Sequence, residues 1–283
     1  MDNNSYRLGA TGTVLNPDAL VPPFVDLTKI SGFDTPEIRS TERDHEGTDG
    51  GFLDADFEKM RTLVFEGQMI SNGINTWTFL DQLKYEWAPG RGVQPLYFQL
   101  PGLDERLIFV KALGVRFDID SLIRLGSCDV QFTCQAENPA FYTSTLLTLA
   151  LPQGATLVGG ISFNLGFNMD FGAPVSPAYA NAYNGGNRDA TALITIQGPV
   201  DNPRIYNDTT GNVLDFGLSL SATDSLVVDL YNRTVTLNGT ASRRNTLKNP
   251  DWFLLKPGNN IIRYRADSSG NPDASISYRY AWR

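Results

Sequence analysis

The chain has a single histidine, His45, and it lies in an acidic, glycine-bearing stretch. The stretch reads Arg43-Asp44-His45-Glu46-Gly47-Thr48-Asp49-Gly50-Gly51. Closely spaced carboxylates are typical ligands of Ca²⁺. The EF-hand pattern fails, however, because a loop that begins at Asp44 has Asp49 at the position that requires glycine. We therefore interpret the polar segment from Asp34 to Glu58 as a long exposed excursion that is solvated or contacts a partner, and a metal site is the disfavoured alternative.

Catalytic residues of the common kinds are not grouped anywhere in the sequence. A Ser-His-Asp triad needs a histidine held by a rigid scaffold, and the residues around His45 indicate none. The sequence has no glycine-rich phosphate loop, Cys-x-x-Cys pair or His-x-x-x-His spacing. Two carboxylates would suffice for a glycosidase, but acids are common in any soluble protein. We predict no enzyme and no catalytic, cofactor-binding or metal residues.

Trp252 is the side chain with two competing interpretations. It is followed by Phe253-Leu254-Leu255, which favours a core or inter-sheet aromatic. The alternative makes Trp252 a carbohydrate contact, an exposed platform on which a sugar ring stacks.

Composition favours a soluble protein made of many short strands. The chain has 283 residues, enough for two domains or one large β domain, and 41% of them are hydrophobic. The 26 glycines and 16 prolines interrupt the apolar segments at short intervals. No apolar run approaches the roughly 20 residues needed to cross a bilayer, and the start of the chain does not resemble a secretory signal. We predict no membrane partner.

The two cysteines are predicted to be buried thiols. Cys128 and Cys134 fall on one face of a strand together with Val130 and Phe132, about 20 Å apart at ~3.3 Å per residue. A disulfide needs Cα atoms within roughly 7 Å. The pair therefore gives no sign of an oxidising compartment.

The acidic residues are concentrated in the first half of the chain. Residues 1–140 contain 21 Asp and Glu against 12 Lys and Arg, a balance of −9. Residues 141–283 contain 10 against 11, a balance of +1. A chain this acidic is poorly suited to grip nucleic acid from outside.

Periodicity predicts a β domain with one helix in the first half. A strand is expected over Arg61–Ile70, and a helix from an Asn75 cap through Trp87, because Leu80, Leu83 and Trp87 have helical spacing. Pro89-Gly90 ends that helix. Further strands are expected near 95–100, 106–118 and 122–134, and Asn138-Pro139 marks the domain boundary.

The second half alternates apolar and polar residues in many short segments, which predicts a β-sandwich. Asn238-Gly239 is a predicted tight turn, and the three Asn-x-Thr sequons, at Asn207, Asn232 and Asn238, are interpreted as turn-forming asparagines rather than glycosylation sites. The predicted strands are 147–151, 161–171, 190–196, 214–220, 226–230, 235–237, 251–255, 260–265 and 276–282.

Several of these segments, in this order, resemble the distal tail proteins of long-tailed, non-contractile bacteriophages. In the second half the resemblance lies in Leu237-Asn238-Gly239, then Trp252, then Leu255-Lys256-Pro257-Gly258-Asn259-Asn260-Ile261. In the first half it lies in Gly47-Thr48-Asp49-Gly50-Gly51, Arg61-Thr62-Leu63, the helix, and Asn138-Pro139-Ala140-Phe141-Tyr142. Residues 172–189 fit less well and are interpreted as a variable loop.

The resemblance implies a ring-forming β domain over residues 1–138 and a galectin-like or jelly-roll sandwich over residues 139–283. It also implies a homohexameric ring in the virion, at the phage tail tip, with the tail tube protein, the tape-measure protein and the tail-tip hub protein as neighbours. DNA would pass through the ring without specific binding. The alternative function is a carbohydrate-binding or host-adsorption protein of the virion.

Overall fold

The chain divides into two compact units. In the computed structural model, residues 4–40, 42–45, 47–49, 51–53, 55–71, 75–119, 121–153, 179–267 and 274–283 are described. The first unit comprises Met1–Ser144 and Arg283, and the second comprises Thr145–Trp282. The division falls somewhat after the predicted boundary at 138/139, because Phe141–Thr143 is still a strand that pairs with Arg106 and Leu107 of the first unit.

The first unit contains twelve described strands and one described α-helix. The strands are β1 Ser5–Leu8, β2 Val14–Leu15, β3 Phe24–Ser31, β4 Ile38–Arg39, β5 Glu42–Asp44, β6 Gly51–Leu53, β7 Phe57–Glu58, β8 Arg61–Ile70, β9 Val93–Gln99, β10 Arg106–Phe117, β11 Ser127–Ala136 and β12 Phe141–Thr143. The helix α1 is Thr76–Glu86.

Seven of these strands close into a barrel. Their order is β11-β8-β3-β2-β1-β9-β10, and β10 pairs again with β11 to complete the ring. Closure requires β10 to change partners along its length, and Leu113 is the extra residue of a bulge at that point. Bulges bend a strand and increase its twist, which suits a barrel corner. Each barrel strand therefore has a neighbour on both sides, which leaves little backbone for pairing with another chain.

The barrel interior follows the period of two that the sequence predicts. In β8 the inward side chains are Leu63, Phe65 and Met69, all fully buried. Their neighbours on β11 include Cys128 and Cys134, which are free, buried thiols as predicted. Burial raises the pKa of the Cys134 thiol to about 12, so this thiol stays protonated and unreactive at neutral pH.

The helix α1 contributes its apolar side to the same core. Leu80, Leu83 and Trp87 are fully buried, and the Trp87 ring lies 4.9 Å from the ring of Phe132. Asn75 occupies the N-cap position, but the prediction that its side chain caps the helix is wrong because it makes no capping hydrogen bond.

A hydrogen bond between two hydroxyl groups stabilises the first turn of α1 in place of the predicted cap. The Ser71 and Thr76 hydroxyls lie 2.6 Å apart, both buried.

The second unit consists of short antiparallel strands in two main sheets. The strands are β13 Leu147–Leu151, β14 Ala180–Asn181, β15 Ala192–Gln197, β16 Val200–Asp201, β17 Arg204–Asn207, β18 Asn212–Phe216, β19 Ser219–Leu220, β20 Ser225–Asp229, β21 Thr234–Leu237, β22 Ala241–Ser242, β23 Leu247–Pro250, β24 Ile261–Arg265, β25 Ala274–Tyr278 and β26 Ala281–Trp282. One sheet has the order β13-β25-β15-β20-β21-β22 and the other β14-β24-β17-β18-β23.

Each of these two sheets has one buried face. Ile194, Val228 and Ile276 are fully buried in the first sheet, as are Ile205 and Ile262 in the second. Alternating burial in both sheets is the pattern of a sandwich with one shared apolar core. The predicted fold class, mainly β with one helix in the first half, is confirmed.

Turn chemistry in the second unit follows the sequence closely. Asn238 and Gly239 both have positive φ, 51° and 73°, and they join β21 to β22 as predicted. The Asn207 side chain accepts hydrogen bonds from the amides of Thr209 and Thr210. Because Asn207 is itself completely buried, it shapes a turn and is closed to glycosylation.

Three predicted strands differ from the structure or fall outside it. Residues 251–255 form no regular strand and contribute a single bridge, Leu255 to Ala190. Residues 121–125 form a 3₁₀ turn, so the strand predicted from residue 122 begins only at Ser127. The predicted strand 161–171 lies outside the described residues, as do residues 172–178 of the predicted variable loop. Across the described part of the chain, no helix has the length and apolarity needed to cross a membrane.

Candidate functional site

The acidic segment around His45 is a β-ribbon rather than an irregular loop. Ile38 pairs with Glu58, and farther along Asp44 pairs with Gly51, so the chain runs out and returns antiparallel. His45 directly follows β5 near the end of this ribbon. Among the described residues, no group of three His, Cys, Asp or Glu side chains is placed to hold a metal ion.

An apolar patch covers part of the outer surface of the barrel on β9 and β10. Val93 is 56% exposed, Phe109 40% and Leu113 46%. Phe109 stands opposite Pro95 and Lys111 stands opposite Val93 in the register of these strands. We call Val93, Phe109 and Leu113 the outer patch. Single exposed apolar residues are normal, whereas these three are grouped on two neighbouring strands, with the exposed Lys111 between Phe109 and Leu113.

Trp252 lies at the wall of a cleft in the second unit and is half-buried. The residues that enter the core at this point are its neighbours Phe253, 5% exposed, and Leu255, fully buried. The favoured sequence interpretation placed the indole itself in the core. In the structure it stands between the core and solvent and lines a space of about 490 Å³.

Two hairpin turns from different sheets bring the other walls of the cleft together. The turn between β20 and β21 provides Leu230, Tyr231 and Arg233, and the turn between β17 and β18 provides Thr210 and Asn212. The first turn is fixed by Asp229, whose carboxylate accepts hydrogen bonds from the amides of Tyr231 and Asn232. Arg233 completes it with a φ of 54°.

The cleft combines an apolar floor with polar and charged rims. Leu230 and Phe253 are buried beneath it, whereas Tyr231 is 51% exposed. At one rim the Lys256 ammonium and an Asp189 carboxylate oxygen are 2.7 Å apart. Arg233 is exposed and forms no ion pair with any described residue. The two cations and one anion leave the cleft with a net positive charge.

Sequence reasoning found Trp252 but missed its partners in the cleft. Asn232-Arg233 was predicted as a turn, yet nothing in that pattern shows which other turn it faces. That information is in the order of strands, since β20 and β17 belong to different sheets. The turn asparagines were the available signal, because they mark the loops that gather at the ends of a sandwich.

Comparison with known proteins agrees with this fold. Residues 185–282 match the family model for the siphovirus-type tail component, C-terminal domain. This range contains the Trp252 segment and the Lys256-Pro257-Gly258-Asn259-Asn260 motif on which the sequence resemblance depends. No curated protein matches the chain.

The chain is similar to the crystal structure of the SPP1 Dit protein over 100% of both chains. That protein is described as a paradigm of the hub adsorption apparatus in phages that infect Gram-positive bacteria. Its TM-score is 0.64 and its identity 13%. A chain of the phage P2 baseplate in its activated conformation with Ca is similar over 98% of both chains, with a TM-score of 0.53 and 11% identity. The resemblance predicted from the sequence is confirmed, since residues 185–282 match the C-terminal domain of siphovirus-type tail components and the chain shares the fold of SPP1 Dit.

Proposed function

We propose that this protein is a structural component of the phage tail tip, a distal tail protein that forms a ring between the tail tube and the tip hub or baseplate. The observation that carries the proposal is the agreement of two comparisons. The family match covers residues 185–282, and the fold match with SPP1 Dit covers the whole chain. Both point to the tail of the virion.

The first unit forms the ring in this proposal. Its barrel strands are paired on both sides, so copies of the chain associate through side chains and not by adding strands to an open edge. The outer patch provides apolar surface for that purpose. A ring of identical copies is closed by cyclic symmetry, and six copies is the number that the family resemblance implies.

The neighbours of the ring follow from its position. The tail tube protein lies above it, the tape-measure protein inside it and the tail-tip hub protein below it. DNA crosses the ring without specific binding. The formal net charge of −9 in residues 1–140 is compatible with the passage of DNA through the ring. A wall of Lys and Arg would instead bind the phosphates and release their counterions. An acidic wall repels the duplex over about 8 Å at physiological salt.

The role is assembly and passage of DNA, with no bond chemistry. The solved structures that share the fold are phage structural proteins, which supports a function outside catalysis. Carbohydrate binding in host adsorption is the second candidate function, and the cleft beside Trp252 is the observation that favours it.

A charge placed on the outer patch tests the ring. We expect the double variant Phe109→Asp and Leu113→Asp to lower the yield of infectious particles at least about tenfold in a complementation assay, because two buried carboxylates would separate the copies. The melting temperature of the purified variant should stay within a few degrees of the wild type, since both side chains are about half exposed.

The matched control is Leu146→Asp with Leu193→Asp, which adds the same charge to exposed leucines of the second unit. This control should complement normally. If the outer-patch variant is folded and complements as well as the control, the outer patch is not the contact between copies.

A further inference from the structure

The cleft beside Trp252, defined by Asp189, Thr210, Asn212, Tyr231, Arg233 and Lys256 around the indole, has the size and composition of a ligand site. Its volume of about 490 Å³ lies within the ~300–1,000 Å³ typical of small-molecule sites. Such sites combine an apolar lining with a few polar groups that fix orientation. We propose that it binds a short oligosaccharide that carries an anionic group, an inference that rests on the second candidate function, carbohydrate binding in host adsorption.

The aromatic groups favour a sugar ring as the occupant. Trp252 is half-buried, so its position is held by the core residues Phe253 and Leu255 while part of the indole faces the cleft. Tyr231 adds a second, 51% exposed ring. Aromatic faces carry negative potential, which attracts the weakly positive C–H groups on one side of a pyranose.

The polar groups are those that hydroxyl-rich ligands require. Asn212 offers an amide, and the carboxylate of Asp189 accepts hydrogen bonds while it is paired with Lys256. The Thr210 Oγ1 atom is buried and has no hydrogen-bond partner among the described residues. A buried hydroxyl of this kind requires a partner, and Thr210 lines the cleft, where a ligand hydroxyl would supply one.

The charge of the cleft selects an anionic substituent. Lys256 is neutralised by Asp189, so the net positive charge comes from Arg233 at the exposed turn. A guanidinium binds phosphate or carboxylate with two parallel hydrogen bonds. The shared chemistry is therefore a phosphorylated or uronic-acid-containing oligosaccharide, and the binding experiment distinguishes these two sources.

A peptide is the weaker candidate for this cleft. Extended peptides bind by pairing with a sheet edge or by lying along a groove. The cleft is formed instead by two hairpin turns and the coil of residues 251–256, where side chains and not a strand edge face the ligand.

The test applies the full chain to a glycan array. The array carries neutral, phosphorylated and uronic-acid-containing bacterial oligosaccharides, together with a set of extended peptides. We expect binding to one anionic class, measured again in solution by tryptophan fluorescence. Trp252→Ala should weaken that binding at least about tenfold, or about 1.4 kcal/mol. Trp77→Ala removes a more exposed indole, 51% exposed, from the first unit and should bind like the wild type.

A second variant isolates the anionic contact without disturbing the turn. Arg233→Asn keeps a residue that tolerates positive φ and should reduce the preference for anionic over neutral sugars at least about fivefold. Arg244→Asn, outside the cleft and exposed, should leave that preference unchanged.

Absence of any oligosaccharide binding to the wild type at millimolar concentration would overturn the proposal. So would a folded Trp252→Ala variant that binds normally, or binding of the peptides in place of sugars. None of these outcomes concerns the ring, because the ring is proposed for the first unit.

Discussion

Replacing Arg61 with methionine is expected to lower the free energy of unfolding of the first unit by about 3–5 kcal/mol, because the guanidinium donates hydrogen bonds to three backbone carbonyls. Arg61 begins β8 and is only 3% exposed. Its Nη1 donates hydrogen bonds to the carbonyl oxygens of Gly32, at 2.7 Å, and Asp34, at 2.5 Å. Methionine is similar in length but cannot donate to either carbonyl.

The same guanidinium also contacts the segment that leads to β12. Its Nε donates to the Pro139 carbonyl at 3.1 Å, and its carbon lies 4.4 Å from the centre of the Phe141 ring. One side chain therefore joins β8, the segment after β3 and the segment before β12. Its removal takes a donor from three carbonyls, and the loss is largest at the buried bond to Pro139, because a buried acceptor left without a donor costs about 1–3 kcal/mol.

Hydrogen exchange with mass spectrometry gives the measurement, because it reports the two units separately. Peptides from β8 and β12 should exchange faster in the Arg61→Met variant, while peptides from the second unit should be unchanged. Arg124→Met, at an exposed position, is the matched control and should stay within about 0.5 kcal/mol of the wild type. An Arg61→Met variant as stable as this control would contradict the account of the barrel.

Replacing Asn260 with alanine is expected to cost the second unit about 3 kcal/mol. Asn260 is fully buried. Its Oδ1 accepts a hydrogen bond from the Lys256 amide at 2.9 Å, and its Nδ2 donates to the carbonyls of Lys256, Gly258 and Ala182. Because residues 251–260 lack a regular strand, this side chain takes the place of a sheet partner for their backbone.

The neighbouring asparagine provides the control for this change. Asn259 is exposed, and its one hydrogen bond to another side chain comes from Asn181. Asn259→Ala should alter the melting temperature by no more than a degree or two, whereas Asn260→Ala should lower it by roughly 5–10 °C. Equal effects of the two substitutions would show that the buried amide does not organise the segment.

The sequence was most informative where a pattern is local. The alternation in Arg61–Ile70 predicted β8 and its buried face, since a strand with one face in a core reads as a period of two. The positive φ values of Asn238 and Gly239 were predictable because those residue types adopt them at low cost. The helix bounds followed from the spacing of Leu80, Leu83 and Trp87.

Features that depend on distant partners could not be predicted. The pairing of β10 with β11 that closes the barrel joins distant segments; Gly114, with a φ of 133°, was the one local sign of the bulge at Leu113, but it does not show which strand pairs there. A strand was predicted from residue 122, but residues 121–125 form a 3₁₀ turn in which Leu122 and Leu125 are exposed. The favoured prediction placed Trp252 in the core, but it is half-buried beside a cleft, because its surroundings depend on how two sheets place their turns.

The most direct test of the tail-tip proposal is a cryo-electron microscopy reconstruction of the tail end of virions that carry this chain. We predict six copies of the first unit in a closed ring between tube and hub, in contact through the outer patch. Asp and Glu from residues 1–140 should outnumber Lys and Arg on the surface facing the axis. A single copy of the chain, or its location away from the tail tip, would contradict the proposed function, and a neutral or basic axial surface would contradict the acidic passage.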